Sequence, residues 1–379
     1  MELQTFKQLL APEGQKLLRL VAASELLDLK LATELRKNYS PDLVAAAMTT
    51  QELRGKARTK FGADAQKMYF TKTALEQATR SEVASYRAAK AKERKIERIA
   101  DLGCSIGSDL IAFARAGISV RGVDRDELRV AMAEANLAAL NLKADVQLGD
   151  ATNFELAESE VAFIDPARRA GSRRTFQVRD MEPGWDFVVT QLRKGAIVKT
   201  LPGISRDDLV GESEWISHNG DLVEACLWGF GEVRRTATLL PSGAQLNNLD
   251  VSTDEVADVG QFIYEPDDAV VRAGLVQQVA AIVNGWRIDE HLAYVSSDEE
   301  IETEFANRFA VIAELPFHTK ALTRELKERD IGTLTVKKRG VEIVPEKLIA
   351  QLKLRGDETA TLIMTRVMGK GRAFLVEPQ

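Results

Sequence analysis

The chain has two cysteines, Cys104 and Cys226, and three histidines in 379 residues. That is too few for a disulfide framework or a zinc cage, so no metal is expected. No apolar run approaches the ~18 residues that span a bilayer, and no membrane role is expected. The first residues, MELQTFKQLLAPEGQ, lack a charged start followed by an apolar stretch, so they do not read as a signal peptide and the cytoplasm is the expected compartment. Aromatics are sparse at 6%, which leaves few side chains on which nucleobases could stack. What is abundant is ordinary: 45% hydrophobic and 28% charged residues, enough for two or three domains with real cores.

The net charge of −6 argues against indiscriminate binding to polyanions, but the charge is unevenly placed. Residues 241–316 carry fifteen acids and three bases, whereas residues 318–372 carry thirteen bases and seven acids. Either the basic end meets an anionic partner, or the two segments pair with each other.

Residues 1–95 show helical periodicity. Leu9, Leu10, Leu17, Leu18 and Val21 form one stretch and Leu26 to Leu35 another; Ser40-Pro41 looks like a cap and first turn, and a further helix is predicted near 73–90. From residue 96 strands and helices alternate: IERIADLG, SDLIAFARAG, ISVRGVD, DELRVAMAEANLAALNL, ADVQLGD, EVAFIDP and, after a helical stretch, GAIVKTLPG. Such alternation predicts a parallel sheet covered on both faces. EWISHNGDLVEACLWGF then reads as a hairpin about Asn219-Gly220, with His218 expected in solvent at its turn. A helix is expected at 267–284. The last segment reads helix, strand, helix, strand, strand.

Ligands bind open α/β sheets at the carboxyl ends of the strands. The first strand ends in Asp101-Leu102-Gly103-Cys104-Ser105-Ile106-Gly107, where glycines allow close backbone approach and the next helix offers free N–H groups. The second ends at Asp124, 21 residues after Gly103, suited to both hydroxyls of a ribose. The third ends in Gly149-Asp150-Ala151, suited to an adenine amino group. The fourth ends in Asp165-Pro166-Ala167-Arg168, facing the reacting atom. The loop lacks the G-x-G-x-x-G spacing of a NAD site. Its Gly103 to Gly107 string matches the G-x-S-x-G elbow of hydrolases, which would need a histidine downstream of an acid. The four strand ends in register fit S-adenosylmethionine better.

Residues 99–170 resemble a class I S-adenosylmethionine-dependent methyltransferase. The wider chain resembles a bacterial group of RNA methyltransferases with a THUMP-like C-terminal domain, on Met68-Tyr69-Phe70-Thr71, Leu75 to Arg80, Phe163 to Arg168, Tyr264-Glu265-Pro266-Asp267 and Leu334 to Gly340. The segment before the first strand is also similar to trimethylguanosine synthase. That resemblance implies that Phe70 and Thr71 line the cofactor pocket.

The expectation is therefore a doubly wound, Rossmann-like α/β methyltransferase sheet. A helical domain (1–95) precedes the methyltransferase domain (96–240), and a connecting segment packed on the core (241–316) leads to a basic THUMP-like α+β domain (317–379). S-adenosylmethionine would be held by Asp101, Gly103, Cys104, Ser105, Gly107, Asp124, Asp150, Ala151, Phe70 and Thr71. Asp165, Pro166 and Arg168 are the catalytic candidates. Amino-methylating enzymes of this fold carry Pro-aromatic where this chain has Ala167-Arg168, which puts adenine or guanine N-methylation in doubt. Tyr294-Val295-Ser296-Ser297 echoes the cysteine motif of 5-methyluridine-forming enzymes with serine in place of the nucleophile, which disfavours that chemistry. RNA is the expected partner. Arg169, Arg173 and Arg174, within five arginines over residues 168–179, and Lys337, Lys338 and Arg339 are its candidate contacts. A small-molecule or protein methyltransferase, and a non-catalytic RNA-binding module, remain the alternatives.

Overall fold

The computed structural model describes residues 1–24, 26–168 and 180–379. They form two compact units, Met1–Gly211 with Leu227–Gly231, and Glu212–Cys226 with Glu232–Gln379.

The first unit begins with helices α1 (Leu3–Leu10), α2 (Pro12–Ala22), α3 (Leu29–Leu35), α4 (Pro41–Phe61), α5 (Lys72–Gln77) and α6 (Ser81–Glu93). Leu9, Leu17, Leu18 and Val21 of the apolar stripe read from the sequence are buried, joined by Phe6, while Leu10 is half-buried. Ser40 caps α4 by accepting the Leu43 N–H at 3.4 Å, with Pro41 in its first turn. The single helix expected at 73–90 is two. Lys60 donates its ammonium hydrogens to the carbonyls of Leu75, Glu76 and Ala78 at 2.9, 2.9 and 2.8 Å, satisfying the end of α5, and Ala78 turns extended.

Next come β1 (Arg98–Leu102), α7 (Ser108–Arg115), β2 (Ser119–Asp124), α8 (Glu127–Ala139), β3 (Asp145–Leu148), β4 (Val161–Ile164), β5 (Ala167–Arg168), β6 (Met181–Glu182), α9 (Trp185–Arg193) and β7 (Ile197–Thr200). The strand order β7-β4-β1-β2-β3 is parallel throughout. The chain runs outward from β1 through β2 and β3, then returns to β4 on the other side of β1. The carboxyl ends of β1 and β4 therefore flank the switch point where such sheets bind ligands. The short antiparallel pair β5–β6 was not legible in the sequence.

In the second unit, β8 (Glu212–His218) and β9 (Asp221–Trp228, whose last two residues count with the first unit) turn through Asn219 and Gly220, with φ of 53° and 81°. This is the expected hairpin. β10 (Arg235–Leu240) lies parallel to β8, and β11 (Ala244–Asn247) antiparallel to β10. There follow β12 (Phe262–Pro266), α10 (Asp268–Ala273), α11 (Val276–Ile282), β13 (Trp286–Arg287), β14 (Val295–Ser297), β15 (Ala306–Leu315), α12 (Thr319–Glu328), β16 (Ile331–Arg339), α13 (Pro345–Leu352), β17 (Glu358–Val367) and β18 (Lys370–Pro378). The expected helix at 267–284 breaks at Gly274, left-handed with φ 71°. Strands β13-β14-β12-β15-β18-β17-β16 form one sheet. The segment 241–316 is thus no connector: it supplies four strands to the same sheet as 317–379, and the boundary expected at 316 falls between β15 and the strands it belongs with. Leu322 and Leu326 of α12 and Leu348 and Leu352 of α13 bury against Leu334, Leu362 and Met364. Among the described residues no helix is long and apolar enough to cross a membrane.

Candidate functional site

The carboxyl ends of β1, β2 and β4 and the turn after β3 converge on a cleft of about 360 Å³, walled among others by Gly103, Asp124, Asp150, Ala151 and Asp165. All four strand ends picked from the sequence meet there. Gly103 has φ +117°, and a Cβ placed on it would meet no atom within 4 Å, so its backbone faces open space. Ser105, itself at φ 51°, donates its N–H to Asp124 Oδ2 at 2.9 Å, while the Asp126 N–H reaches Oδ1 at 3.0 Å. One backbone donor from each loop thus fixes the buried Asp124 carboxylate, leaving it lone pairs for a ligand. Gly107, φ +83°, opens α7 without a side-chain cap; a Cβ there would press on Ala133 of α8 at 3.4 Å. The first-turn N–H groups of α7 therefore remain available to an anionic group.

Asp150 sits at the rim. Thr152 donates its hydroxyl to Oδ1 at 2.6 Å and its N–H at 2.7 Å, which holds the carboxyl below its usual range. Asp101 is the opposite case. It is 2% exposed, and its Oδ1 has no hydrogen-bond partner. Burial, reinforced by the negative charges of Asp109, Asp165 and Asp124, pushes its carboxyl well above the ordinary range. A carboxyl raised in the fold contributes stability at pH below its unfolded value of ~3.9, and that contribution is lost as pH rises through the raised value. Asp101→Asn should therefore raise the melting temperature of the unliganded protein at pH 8, on the order of 2–4 °C for each kcal/mol of charge burial relieved. The difference should vanish near pH 4. Scanning calorimetry across that range checks it, and an equal shift at both pH values would contradict it.

Cys104 is buried under the sheet, its Sγ 3.0 Å from where a Cβ on Gly122 would stand, and it lies outside the cleft wall. Burial pushes its thiol well up, which makes it a poor nucleophile. Phe70 and Thr71 depart from expectation too. Phe70 is fully buried with its ring 5.4 Å from Phe61, and the Thr71 hydroxyl caps α5 by accepting the Ala74 N–H at 3.1 Å; neither lines the cleft. Their segment nonetheless touches the Cys104–Gly107 loop through Asn136 of α8. This side chain donates to the Tyr69 and Ile106 carbonyls at 3.1 and 2.9 Å and accepts the Tyr69 N–H at 2.7 Å.

At the end of β4, Asp165 lines the cleft and its Oδ2 accepts from Lys199 Nζ at 2.6 Å. Pro166 is half-buried beside it. Arg168 pairs through its backbone with Met181 in β5–β6. Arg169, Arg173 and Arg174, with Arg179, lie outside the described residues. Sequence reading missed Arg125 and Glu182, which form an ion pair in the cleft wall, and Lys199. The strand-end logic that found Asp165 could have found Lys199, which lies near the end of the next strand.

Part of the basic segment pairs internally. Lys337 Nζ lies 2.5 Å from Glu265 Oε2, Arg339 3.7 Å from Asp268, and Arg372 2.5 Å from Glu314. Arg366 binds Asp289 at 3.1 Å; burial would push that carboxyl up, but Arg366 and the N–H groups of Gly369 and His291 hold it at about 2. Four of its bases thus pair with acids of 241–316, while Lys338 is exposed. His218 is buried at the end of β8, not in solvent, because the strand carries it into the core before the turn begins. Ser296 spends its hydroxyl on the Phe262 carbonyl at 2.6 Å, a structural role.

Comparison with known proteins adds three family matches: a methyltransferase domain at 99–165, a THUMP domain-like region at 306–378 and a domain of unknown function at 2–57. Uncharacterized S-adenosylmethionine-dependent methyltransferases of two Mycobacterium tuberculosis strains, CDC 1551 and H37Rv, are each 36% identical over 308 residues, covering 79% of this chain and 84% of theirs. The crystal structure of a candidate methyltransferase from Porphyromonas gingivalis W83 aligns with a TM-score of 0.74 at 20% identity, over 95% of this chain and 96% of that one, and so shares the fold.

Proposed function

Because the chain belongs to the S-adenosylmethionine-dependent methyltransferases, we propose that it methylates RNA, with the acceptor presented to Asp165. The cofactor supplies a methyl group activated by its sulfonium. The residues present suit it. Asp101, Gly103, Ser105 and the start of α7 at Gly107 would hold the methionine end, where the unpartnered Asp101 oxygen matches an ammonium donor. Asp124 would take the ribose hydroxyls, and Asp150 with Ala151 the adenine edge. Asp165 would orient the nucleophile and accept its proton as the methyl moves in line, with placement supplying most of the rate.

The THUMP domain-like match is the observation that carries the RNA reading. The run of arginines over residues 168–179, directly after Asp165 in sequence, supports it as a source of phosphate contacts. A small-molecule or protein acceptor is favoured by one fact, the neutralisation of Lys337, Arg339, Arg366 and Arg372 by acids of their own unit. Incubating the purified protein with methyl-labelled S-adenosylmethionine and separated RNA, DNA, protein and metabolite fractions decides between them. Label is expected in RNA; label confined to protein or metabolites would end the RNA reading.

A further inference from the structure

Strands β4 and β7 are neighbours, with Phe163 opposite Ile197 and Ile164 opposite Val198. One step further along both strands come Asp165 and Lys199, so parallel register alone brings the carboxylate to the ammonium. The Lys199 side chain is 15% exposed and its Nζ lies 2.6 Å from Asp165 Oδ2. The same ammonium donates to the Thr79 hydroxyl at 3.0 Å, and that hydroxyl donates to Asp109 Oδ2 at 3.0 Å. Asp109 in turn is ion-paired to Arg87, which is wholly buried. The relay joins Arg87 of α6, Thr79 of the preceding turn, Asp109 of α7 and Lys199 of β7 to one oxygen of Asp165. Its interior members are buried and each is held by at least two partners, so few alternative rotamers remain to it. Asp165 Oδ1 accepts no hydrogen bond among the described residues, and Asp165 lines the cleft.

We propose that Lys199 is the positioning residue of the reacting end: it grips one oxygen of Asp165 and, locked in turn through Thr79 and Asp109 to Arg87, keeps the other oxygen turned into the cleft. This rests on the reading that Asp165 orients the methyl acceptor. A carboxylate on a freely turning side chain would spend much of its time misaligned, and small misplacements cost large factors in rate. Buried ion pairs also serve purely structural ends, and such a role would leave turnover and the carboxylate's aim unchanged when the fold survives.

The test uses the full-length protein as wild type and as Lys199→Met, Lys199→Arg, Thr79→Val and Asp165→Asn. Crystals with S-adenosylhomocysteine report the Asp165 rotamer, calorimetry reports the affinity for that ligand, and label transfer to the accepting fraction reports kcat and KM separately. Lys199→Met is expected to keep the ligand affinity within about two-fold, to turn Asp165 away from its present rotamer, and to lower kcat about 100-fold with little change in KM. Lys199→Arg should recover part of that loss, and Thr79→Val should lose about ten-fold. An unchanged Asp165 rotamer in Lys199→Met overturns the proposal whether or not an acceptor has been found, as does wild-type kcat in that variant. If Lys199→Met fails to fold, an unchanged Asp165 rotamer in Thr79→Val overturns it instead. Wild-type turnover in Asp165→Asn would sink the reading of Asp165 alone, leaving the rotamer measurement to judge the relay.

Discussion

Asp124→Ala should abolish usable cofactor binding, weakening S-adenosylhomocysteine by about 10²–10³-fold in calorimetry while the protein stays folded. Two charge-assisted hydrogen bonds to the hydroxyls of the proposed ribose, each contributing about 1.5–3 kcal/mol, would account for that range once partial overlap between them is allowed. The loss has a second source. Asp124 accepts the N–H groups of Ser105 and Asp126, so its removal also releases the glycine loop and the turn into α8. Asp124→Asn should fall between, because its amide keeps one acceptor but points donors at a backbone N–H. Far-ultraviolet circular dichroism should remain that of wild type, since the side chain lies at a strand end and not inside the sheet. Binding within about three-fold of wild type would mean that the ribose, and with it the cofactor, sits elsewhere.

The parts of this site that could be read from sequence share one property: their signal is local. Strands buried on both faces must be short apolar runs, and a chain that has to turn at their ends leaves aspartate and glycine there, as at Asp101, Gly103, Asp124 and Asp165. The cap at Ser40 and the hairpin at Asn219-Gly220 are local in the same sense. Gly274 was a visible signal, a glycine inside a helical pattern, and the structure breaks the helix there. What could not be read depends on partners far along the chain. Nothing near Ala78 announces that Lys60 will end the helix, and nothing near Lys337 announces Glu265, 72 residues away. Charge in a sequence says how many cations there are, not which of them meet acids. Phe70 shows the same limit from the apolar side, since an aromatic before a strand suits a ligand wall or a core equally well, and its full burial, with Phe61 against its ring, decides it for the core. The Asp165–Lys199 pair lies between these cases: Asp165 was picked out and Lys199 was not, because their meeting follows from the β4–β7 register, which a succession of strands does not contain.

Asn136→Ala should be among the most damaging single changes in the first unit, although the residue reads in sequence as one polar position in the helix after the second strand. It is wholly buried and satisfies three backbone groups at once: the N–H and carbonyl of Tyr69, and the carbonyl of Ile106. Alanine would leave all three without partners in a water-excluded place, at about 1–3 kcal/mol each, so a total of roughly 3–5 kcal/mol is expected after relaxation. For a unit of this size that corresponds to a melting temperature lower by roughly 10 °C. The cofactor should bind about ten-fold more weakly, because Ile106 lies inside the Cys104–Gly107 turn and Asn136 anchors that turn to the Met68–Phe70 segment. Arg54 grips the segment from its other side, donating to the carbonyls of Met68 and Lys67 at 2.9 and 3.3 Å, so the segment should loosen and not unfold outright. Asn136→Asp supplies the discriminating control. It preserves shape and the acceptor for Tyr69 N–H, but replaces both donors with lone pairs aimed at carbonyl oxygens, and places a charge in a water-excluded position. It should be at least as unstable as the alanine variant at pH 8 and recover part of the loss near pH 4, where protonation restores one donor. A melting temperature within about 2 °C of wild type in Asn136→Ala, or an aspartate variant indifferent to pH, would show that the turn and the segment hold their places without this side chain.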